Sequence, residues 1–297
     1  MTAPDRKKIG LIASSEKPEC IAVAKELKVW LNQRVEVAID NLGQTIDISA
    51  HDDIDLLVVL GGDGTILGTV RDLDANQVPI VGINMGKLGF LAEFTTEQFK
   101  SQFETILTGK IKCAQRMMLN CIITGPDRET FESLAVNEVS IVAGPPFRML
   151  EVLLSVDEEE PVICAGDGLI VSTATGSTAY NLSAGGPLLS PSLKAAIITP
   201  LAAHSLSFRP VVVDMAKPVV LSCKKGRTWG PTYSGYDAVV VIDGQINVPI
   251  KSEDRITISA SRHKFKLVAN SLRSRWELLN TKLNWAGRPN YTNNQQD

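Results

Sequence analysis

Several features that would point to particular classes of protein are missing from this chain. No apolar run approaches the roughly 20 residues that a helix needs to cross a bilayer, and no signal-peptide core follows the N-terminal Met-Thr-Ala-Pro-Asp-Arg-Lys-Lys. No basic tract stands out, and the formal net charge of -3 gives no reason to expect nucleic-acid binding. We therefore expect a cytoplasmic globular protein that binds neither a membrane nor a nucleic acid.

Patterns typical of metal sites and disulfides are also missing. The five cysteines form no CxxC pair, and the three histidines lie far apart in the sequence. These spacings predict reduced, mostly buried thiols and no zinc site or disulfide framework.

The first 110 residues alternate between strand and helix patterns, which is typical of a doubly wound α/β domain that binds ligands at the carboxyl ends of its strands. The residue Thr95, with Gln98 three positions later, predicts a capping box at the start of one helix. The predicted strands are Lys7–Ala13, Val35–Ile39, Ile54–Leu60 and Pro79–Ile83, and the predicted helices are Pro18–Leu31, a helix after Thr65, and Thr95–Leu107.

After Lys110 the pattern changes to short β-like segments separated by turn residues. They predict a β-rich, sandwich-like domain over residues 111–270, followed by a C-terminal segment, 271–297, that returns to the first domain or is partly disordered. The predicted strands are Cys121–Thr124, Val139–Val142, Leu150–Val156, Val162–Ala165, Leu169–Ser172, Val211–Val213, Val219–Ser222, Val239–Ile242, Arg255–Ser259 and Phe265–Val268.

A glycine turn that holds one carboxylate follows the strand at Ile54–Leu60. Its glycines, Gly61, Gly62 and Gly64, let backbone amides approach a phosphate, and a helix that starts nearby favours an anion. Asp63 places a negative charge in this anion-favouring turn. That charge is costly unless the carboxylate binds a hydroxyl or a metal ion. The alternative is a tight turn in which Asp63 only caps the following amides.

Three other segments have candidate ligand contacts. The loop Asn84–Leu91 contains Gly86 and Gly89, which either serve its turns or bring backbone to a ligand at the same sheet edge. The pair Asn137-Glu138 precedes a strand, so both side chains can reach one ligand only if the backbone there is irregular; the alternative is a solvated strand end. The stretch from Asp167 to Pro187 has hydroxyls around Gly176 at a helix start, namely Ser172, Thr173, Thr175, Ser177 and Thr178, which are suitable donors to a phosphate or ribose. The alternative is a Ser/Thr capping turn.

Taken together, these segments resemble the NAD kinase family. Gly61-Gly-Asp-Gly-Thr is similar to its GGDG motif, Asn137-Glu138 to its NE dipeptide, and Asp167-Gly-Leu-Ile-Val-Ser-Thr-Ala-Thr-Gly-Ser-Thr-Ala-Tyr to its DG...TPTGSTAY stretch. The loop at Asn84, Asp243-Gly-Gln245 and the late Thr281-Lys-Leu-Asn-Trp segment also resemble that family. The matches come in family order over nearly the whole chain.

The resemblance implies phosphorylation by ATP of the 2′-hydroxyl on the adenosine ribose of NAD, with a divalent cation, Mg²⁺, and a homo-oligomer, a dimer or a tetramer, in which neighbouring subunits complete the NAD site. It implies that Asp63 is the catalytic carboxylate and that Gly61, Gly62 and Thr65 bind phosphate. The implied NAD contacts are Gly64, Asn137, Glu138, Arg148, Asp167, Thr178, Ala179, Tyr180, Ser183, Ala202 and Gln245.

The sequence departs from the family pattern at three positions. Ala174 replaces the usual proline of TPTGSTAY, and Gly68 and Ala165 stand where some members carry basic residues. We expect Arg71 or Lys87 to make the phosphate contacts that the basic residues at positions 68 and 165 would make in those members. The alternative functions are a lipid or sugar kinase that uses the same turn, and a dinucleotide-binding protein without turnover.

Overall fold

The computed structural model describes residues 7–42, 53–86, 88–144, 149–157, 159–224 and 238–287. It contains a ten-stranded mixed sheet and a six-stranded antiparallel sheet, so the predicted fold class is confirmed. In chain order the elements are β1 Lys8–Ala13, α1 Pro18–Asn32, β2 Glu36–Leu42, β3 Leu56–Leu60, α2 Asp63–Asp72, β4 Ile80–Ile83, α3 Thr96–Leu107, β5 Cys113–Gly125, β6 Arg128–Ala135, β7 Glu138–Ala143, β8 Leu150–Val156, β9 Val162–Gly166, β10 Gly168–Thr173, α4 Tyr180–Ser183, β11 Ala195–Leu201, β12 Val211–Asp214, β13 Val219–Cys223, β14 Ala238–Ile242, β15 Ile246–Ile250, β16 Arg255–Val268 and α5 Arg275–Leu283.

The parallel part of the larger sheet has helices on both faces. Its strands run in the order β2-β1-β3-β4. One apolar core joins this sheet to α1 and α3, and a second core joins its other face to α2. Every residue of β3 is buried, as expected for a parallel strand that is covered on both sides. The capping box of Thr95 and Gln98 is present at the start of α3.

The long strand β16 connects the parallel strands to the antiparallel ones. Near its end Leu267 pairs in parallel with Ile80 of β4, while its first half pairs with β13 and its whole length with β5. The sequence predicts two separate strands here. The structure has one strand with a register shift between Ala260 and Lys264, where the chain bends without leaving the sheet.

The antiparallel half of the molecule is a sandwich. Strands of the larger sheet and strands of the six-stranded sheet, ordered β12-β11-β10-β7-β14-β15, enclose one apolar core. Three strands, β6, β11 and β15, were not predicted from the sequence. The reason is that β6 begins with polar residues and has no regular apolar alternation, whereas β11 and β15 contain Pro200 and Pro249, which normally argue against a strand.

The cysteines agree with the prediction of free thiols. All five are free, and four of them are buried, while Cys113 is exposed. Among the described residues no helix is long and apolar enough to cross a membrane.

Candidate functional site

The glycine turn sits where β3 ends and α2 begins. The helix starts at Asp63, two residues before the predicted start, with Gly62 as its N-cap. Within the part of the chain that the structure describes, no side chain caps the first amides of α2, so these donors remain available to an anion. A Cβ atom on Gly61 would lie 2.4 Å from Oγ1 of Thr65, whereas one on Gly62 would meet no atom within 4 Å. Gly61 therefore allows the turn to close, and Gly62 leaves its outer face open.

The carboxylate of Asp63 does not cap its own helix. Its Oδ2 atom accepts a hydrogen bond from the Phe90 amide at 2.8 Å, and its Oδ1 atom accepts bonds from the amides of Leu91 and Ala92 at 3.0 Å each. A carboxylate has about four lone pairs, so one on Oδ2 remains for another partner. The capping alternative is thus wrong, because the acceptor holds a loop 27 to 29 residues away.

Gln245 ties the start of α2 to the six-stranded sheet. From the turn between β14 and β15, its Nε2 atom donates to the Gly64 carbonyl at 2.8 Å, and its Oε1 atom accepts from Arg71 at 2.8 Å. Arg71 therefore reaches the same face of α2 as Gly64 and Gly68. Lys87, the other cation expected to compensate for Gly68, lies outside the described residues, as does Arg148.

The backbone at Asn137-Glu138 has the irregular geometry that the sequence requires. The chain crosses here from β6 in one sheet to β7 in the other. Oδ1 of Asp243 accepts the amides of Asn137 and Glu138 at 2.8 and 3.0 Å, and Oδ2 accepts the Val136 amide at 2.8 Å. The sequence did not reveal this role for Asp243, since its partners lie more than 100 residues away.

Glu138 is a buried acid with little to stabilise a negative charge. It is 5% exposed, and its Oε2 atom has no hydrogen-bond partner among the described residues. Burial, followed by the neighbouring charge of Asp243, raises the pKa of Glu138 to about 8. The side chain is therefore mostly protonated at neutral pH and can donate a hydrogen bond as well as accept one.

The hydroxyls of residues 172–178, the hydroxyl-rich loop, differ in whether they are bound within the turn or could contact a ligand. Ser172, Thr173 and Ser177 are fully buried, and their hydroxyls donate to backbone carbonyls, so the expectation that they bind a ligand is wrong. These hydroxyls satisfy the turn instead. In contrast, Oγ1 of Thr175 is buried without a hydrogen-bond partner among the described residues. Thr178 is partly exposed, although its hydroxyl donates to the Thr175 carbonyl at 3.3 Å, and Tyr180 is exposed.

Gly176 brings this loop against the Asn137-Glu138 segment. A Cβ atom at Gly176 would lie 2.2 Å from the Asn137 carbonyl oxygen. The amide of Thr173 also donates to that oxygen at 2.8 Å. The two segments, separate in sequence, therefore form one wall.

A cavity of about 650 Å³ lies beside this wall. Phe90 belongs to the loop held by Asp63, and Thr175 and Thr178 come from the hydroxyl-rich loop. Arg116 approaches Glu93 at 3.8 Å, and its Nε atom is buried with no hydrogen-bond partner in the described ranges. The lining residues are Phe90, Glu93, Lys112, Cys113, Ala114, Gln115, Arg116, Thr175, Thr178, Ser190, Pro191, Ser192, Ala269, Asn270, Arg273, Ser274, Arg275, Leu278 and Leu279.

Two predicted contacts lie at the far end of β10. The Asp167 amide bonds to the Leu201 carbonyl, so Asp167 and Ala202 are neighbours. Both are exposed, and Ala202 has a positive φ of 42°. They lie beyond Gly168, whereas the wall with Asn137 begins at Thr173, a distance of roughly 17 Å along the strand. Ser183, at the end of α4, is exposed.

Family models match both halves of the chain. The model of the ATP-NAD kinase N-terminal domain matches residues 40–111, and the model of the ATP-NAD kinase C-terminal domain matches residues 136–270.

Relatives are similar to the chain over almost its full length. The NAD kinase of Syntrophotalea carbinolica is 34% identical over 292 residues, which cover 95% of this chain and 100% of the relative. The NAD kinase of Geotalea daltonii is 35% identical over 291 residues, with the same coverage.

Two solved structures have the same architecture. Yeast NADH kinase complexed with NADH superposes with a TM-score of 0.86 at 23% identity, covering 97% of this chain and 90% of the other, and this likeness shows the fold alone. An NAD kinase from Archaeoglobus fulgidus in complex with ATP has a TM-score of 0.70 at 29% identity, covering 89% of this chain and 94% of the other.

Proposed function

The chain belongs to the NAD kinase family, and on that premise we propose roles for its residues in the ATP-dependent phosphorylation of NAD. The full-length likeness to NAD kinases favours this activity over the lipid or sugar kinase and over a binding protein without turnover. The acceptor is the 2′-hydroxyl of the adenosine ribose, and the donor is the γ-phosphate of ATP.

Asp63 is the carboxylate that orients the acceptor hydroxyl and takes its proton. The supporting observation is its position: it lies at the open start of α2, next to the cavity that Phe90 lines, with one lone pair on Oδ2 left over. The three amides that it accepts fix its direction before any ligand binds. Such preorganisation matters in phosphoryl transfer, where positioning and charge neutralisation dominate.

The donor phosphates bind at the glycine turn. The first amides of α2, with Gly61, Gly62 and Thr65 around them, face an anion without a competing side-chain cap. Arg71, held by Gln245 beside Gly64 and Gly68, supplies the positive charge that Gly68 cannot.

The residues present fit a magnesium ion that arrives bound to ATP. The described residues contain no group of three or more His, Cys, Asp or Glu side chains able to hold a metal. Magnesium bound with a nucleotide needs only one or two protein carboxylates, because phosphate oxygens and waters complete its shell. Because the one remaining lone pair of Asp63 serves the acceptor hydroxyl, the ion would be held at the glycine turn by the ATP phosphates and water, and it would neutralise charge on the phosphates.

The adenosine half of NAD binds between Asn137 and the cavity. Neutral Glu138 and the side-chain amide of Asn137 offer hydrogen bonds to ribose hydroxyls, and Phe90 offers a flat apolar face. Thr175, whose Oγ1 atom has no partner among the residues described, and Thr178 supply polar contacts, and Ala179, Tyr180 and Ser183 continue the same surface.

Two predicted NAD contacts, Asp167 and Ala202, belong to the site of a neighbouring subunit. Asp167 and Ala202 are exposed at the opposite end of β10 from Asn137. Within one chain they cannot join the Asn137 wall, so a homo-oligomer that places this end against a second copy completes the NAD site.

The test of the catalytic role is Asp63→Asn. A general base contributes about 10² to 10⁴-fold, so kcat should fall at least 100-fold while the Kd for NAD changes little. Initial rates can be followed with a dehydrogenase that depends on the product's 2′-phosphate, and NAD binding by calorimetry. The matched control is Asp55→Asn, because Asp55 also accepts a backbone amide, from Lys8, but at the other end of β3. A folded Asp63→Asn protein with kcat within tenfold of the control would remove Asp63 from this role.

A further inference from the structure

The turn between β14 and β15 contacts both halves of the proposed site. It consists of Asp243, Gly244 and Gln245, and its first two residues have positive φ angles of 49° and 66°. The Asp243 side chain binds the segment that carries Asn137, while the Gln245 side chain binds the start of α2. One short turn thus reaches the proposed NAD contacts and the proposed phosphate site.

Asp243 accepts the backbone amides of the segment that connects β6 to β7. Residues 136 and 137 connect β6 to β7 and lie outside both ladders. Asp243 accepts the amides of Val136, Asn137 and Glu138, all at 2.8 to 3.0 Å, and it is only 7% exposed. Buried backbone donors need such partners, so this carboxylate decides the path of the connection.

The direction of two side chains depends on that path. Adjacent residues in a regular strand point to opposite faces, so Asn137 and Glu138 can serve one ligand only where the backbone leaves strand geometry. We propose that Asp243 is a positioning residue for NAD, whose carboxylate fixes the chain at 136–138 and thereby sets the directions of Asn137 and Glu138. This inference rests on the proposed roles of those two residues.

The charge of Asp243 has a second effect on the same pair. Asp243 is the charged group that acts on Glu138, and Arg71 is the charged group that acts on Asp243. Burial raises the pKa of Asp243, but three amide donors and the charge of Arg71 favour its ionised form. Oε2 of Glu138 has no donor among the described residues, so Glu138 is the acid that keeps the proton. Removal of the charge on Asp243 should therefore lower the pKa of Glu138.

Two substitutions separate position from charge. Asp243→Asn removes the charge and turns an NH₂ group toward one amide donor. Asp243→Glu keeps the charge but displaces the oxygens by one methylene. The matched control is Asp254→Asn, because Asp254 is 5% exposed, accepts the Lys251 amide at 3.0 Å and lies at the other end of the β14–β15 hairpin.

We expect both Asp243 variants to raise the KM for NAD by about tenfold or more, with a smaller change in kcat. In Asp243→Asn, the inflection of kcat/KM for NAD should also move to lower pH, whereas Asp243→Glu should keep the wild-type inflection. A loss of fold alone would change the amount of active enzyme and leave the KM and the inflection in place. The control should retain the wild-type KM and pH profile.

The proposal is overturned if either folded Asp243 variant keeps a KM for NAD within twofold of the control. If Asp243→Asn does not fold, Asp243→Glu alone decides the question by its KM. Asn137→Ala separates this outcome from failure of the proposed site. A raised KM in Asn137→Ala with a normal KM in the Asp243 variants refutes only the positioning role, whereas normal values in both refute the NAD contact as well.

Discussion

Gly89 and Asp63 show how one residue constrains another across the site. A Cβ atom on Gly89 would lie 2.0 Å from Oδ1 of Asp63, far inside the range of real contacts. The sequence suggested only that Gly89 serves a turn or lines a ligand. The structure shows close packing against the carboxylate, because the amides that follow Gly89 converge on it.

The substitution Gly89→Ala is expected to lower kcat by about 100-fold, since a displacement near 1 Å at a catalytic group has that order of effect. Steady-state kinetics with NAD and ATP measure it. The control is Gly144→Ala, where the nearest atom of a described residue to the new Cβ would be Cα of Ala238 at 3.8 Å. If Gly89→Ala and the control have equal rates, the alignment of Asp63 does not depend on this contact.

Carboxylates that accept several amides occur twice in the site. Asp63 accepts three consecutive amides from the loop after β4, and Asp243 accepts three from the connection before β7. The sequence identified Asp63 because glycines surround it. It did not identify Asp243 as a structural anchor, since an Asp-Gly pair is also the ordinary composition of a hairpin turn.

At the scale of elements, the segment after β16 joins α5 to the first half of the molecule through a buried polar network. Asn270 is 2% exposed. Its amide group donates to the Glu93 carbonyl and to Gln98 at 3.0 Å each, and its Oδ1 atom accepts from Gln102 at 2.9 Å. The network positions Glu93 and α5, which both line the cavity.

The substitution Asn270→Ala should lower the free energy of unfolding by about 3 kcal/mol, because it leaves buried polar partners unsatisfied. Thermal unfolding at fixed protein concentration should show a Tm lower by roughly 5 °C. Asn280→Ala serves as the control, since Asn280 makes one exposed hydrogen bond, to the Trp285 carbonyl. A Tm equal to that of the control would show that the network adds little stability.

At the scale of the whole molecule, the proposed oligomer makes a prediction about mixed subunits. A subunit with Asp63→Asn retains Asp167, and a subunit with Asp167→Asn retains Asp63. If each site combines Asp63 of one copy with Asp167 of another, a hybrid dimer of the two variants should have about half of the wild-type activity, because one of its two sites keeps both aspartates and the other keeps neither. Differently tagged chains allow the hybrid to be purified and assayed.

The control for this experiment is each variant expressed alone. If the hybrid is no more active than the two parents added together, Asp167 acts within its own subunit or not at all. The single Asp63→Asn variant tests the role of Asp63 first, so an inactive hybrid can then be attributed to the arrangement of the subunits.

The sequence alone determined the broad architecture and the glycine turn. Continuous apolar runs such as Leu56–Leu60 and alternating β and α periods predict a doubly wound half, since burial on both faces leaves a local composition pattern. Clustered glycines around Asp63 likewise identify an anion-binding turn from neighbours in the chain alone.

Only the tertiary structure decided which groups meet. Asp63 and Asp243 each accept amides from segments distant in the sequence, and Gln245 binds the distant Gly64. The fold also places Asp167 and Asn137 at opposite ends of β10. The same holds for β16, whose pairing joins the parallel strands to the antiparallel ones. Local composition does not predict these partners, because a hydrogen bond between remote segments depends on how the sheets stack and not on either segment alone.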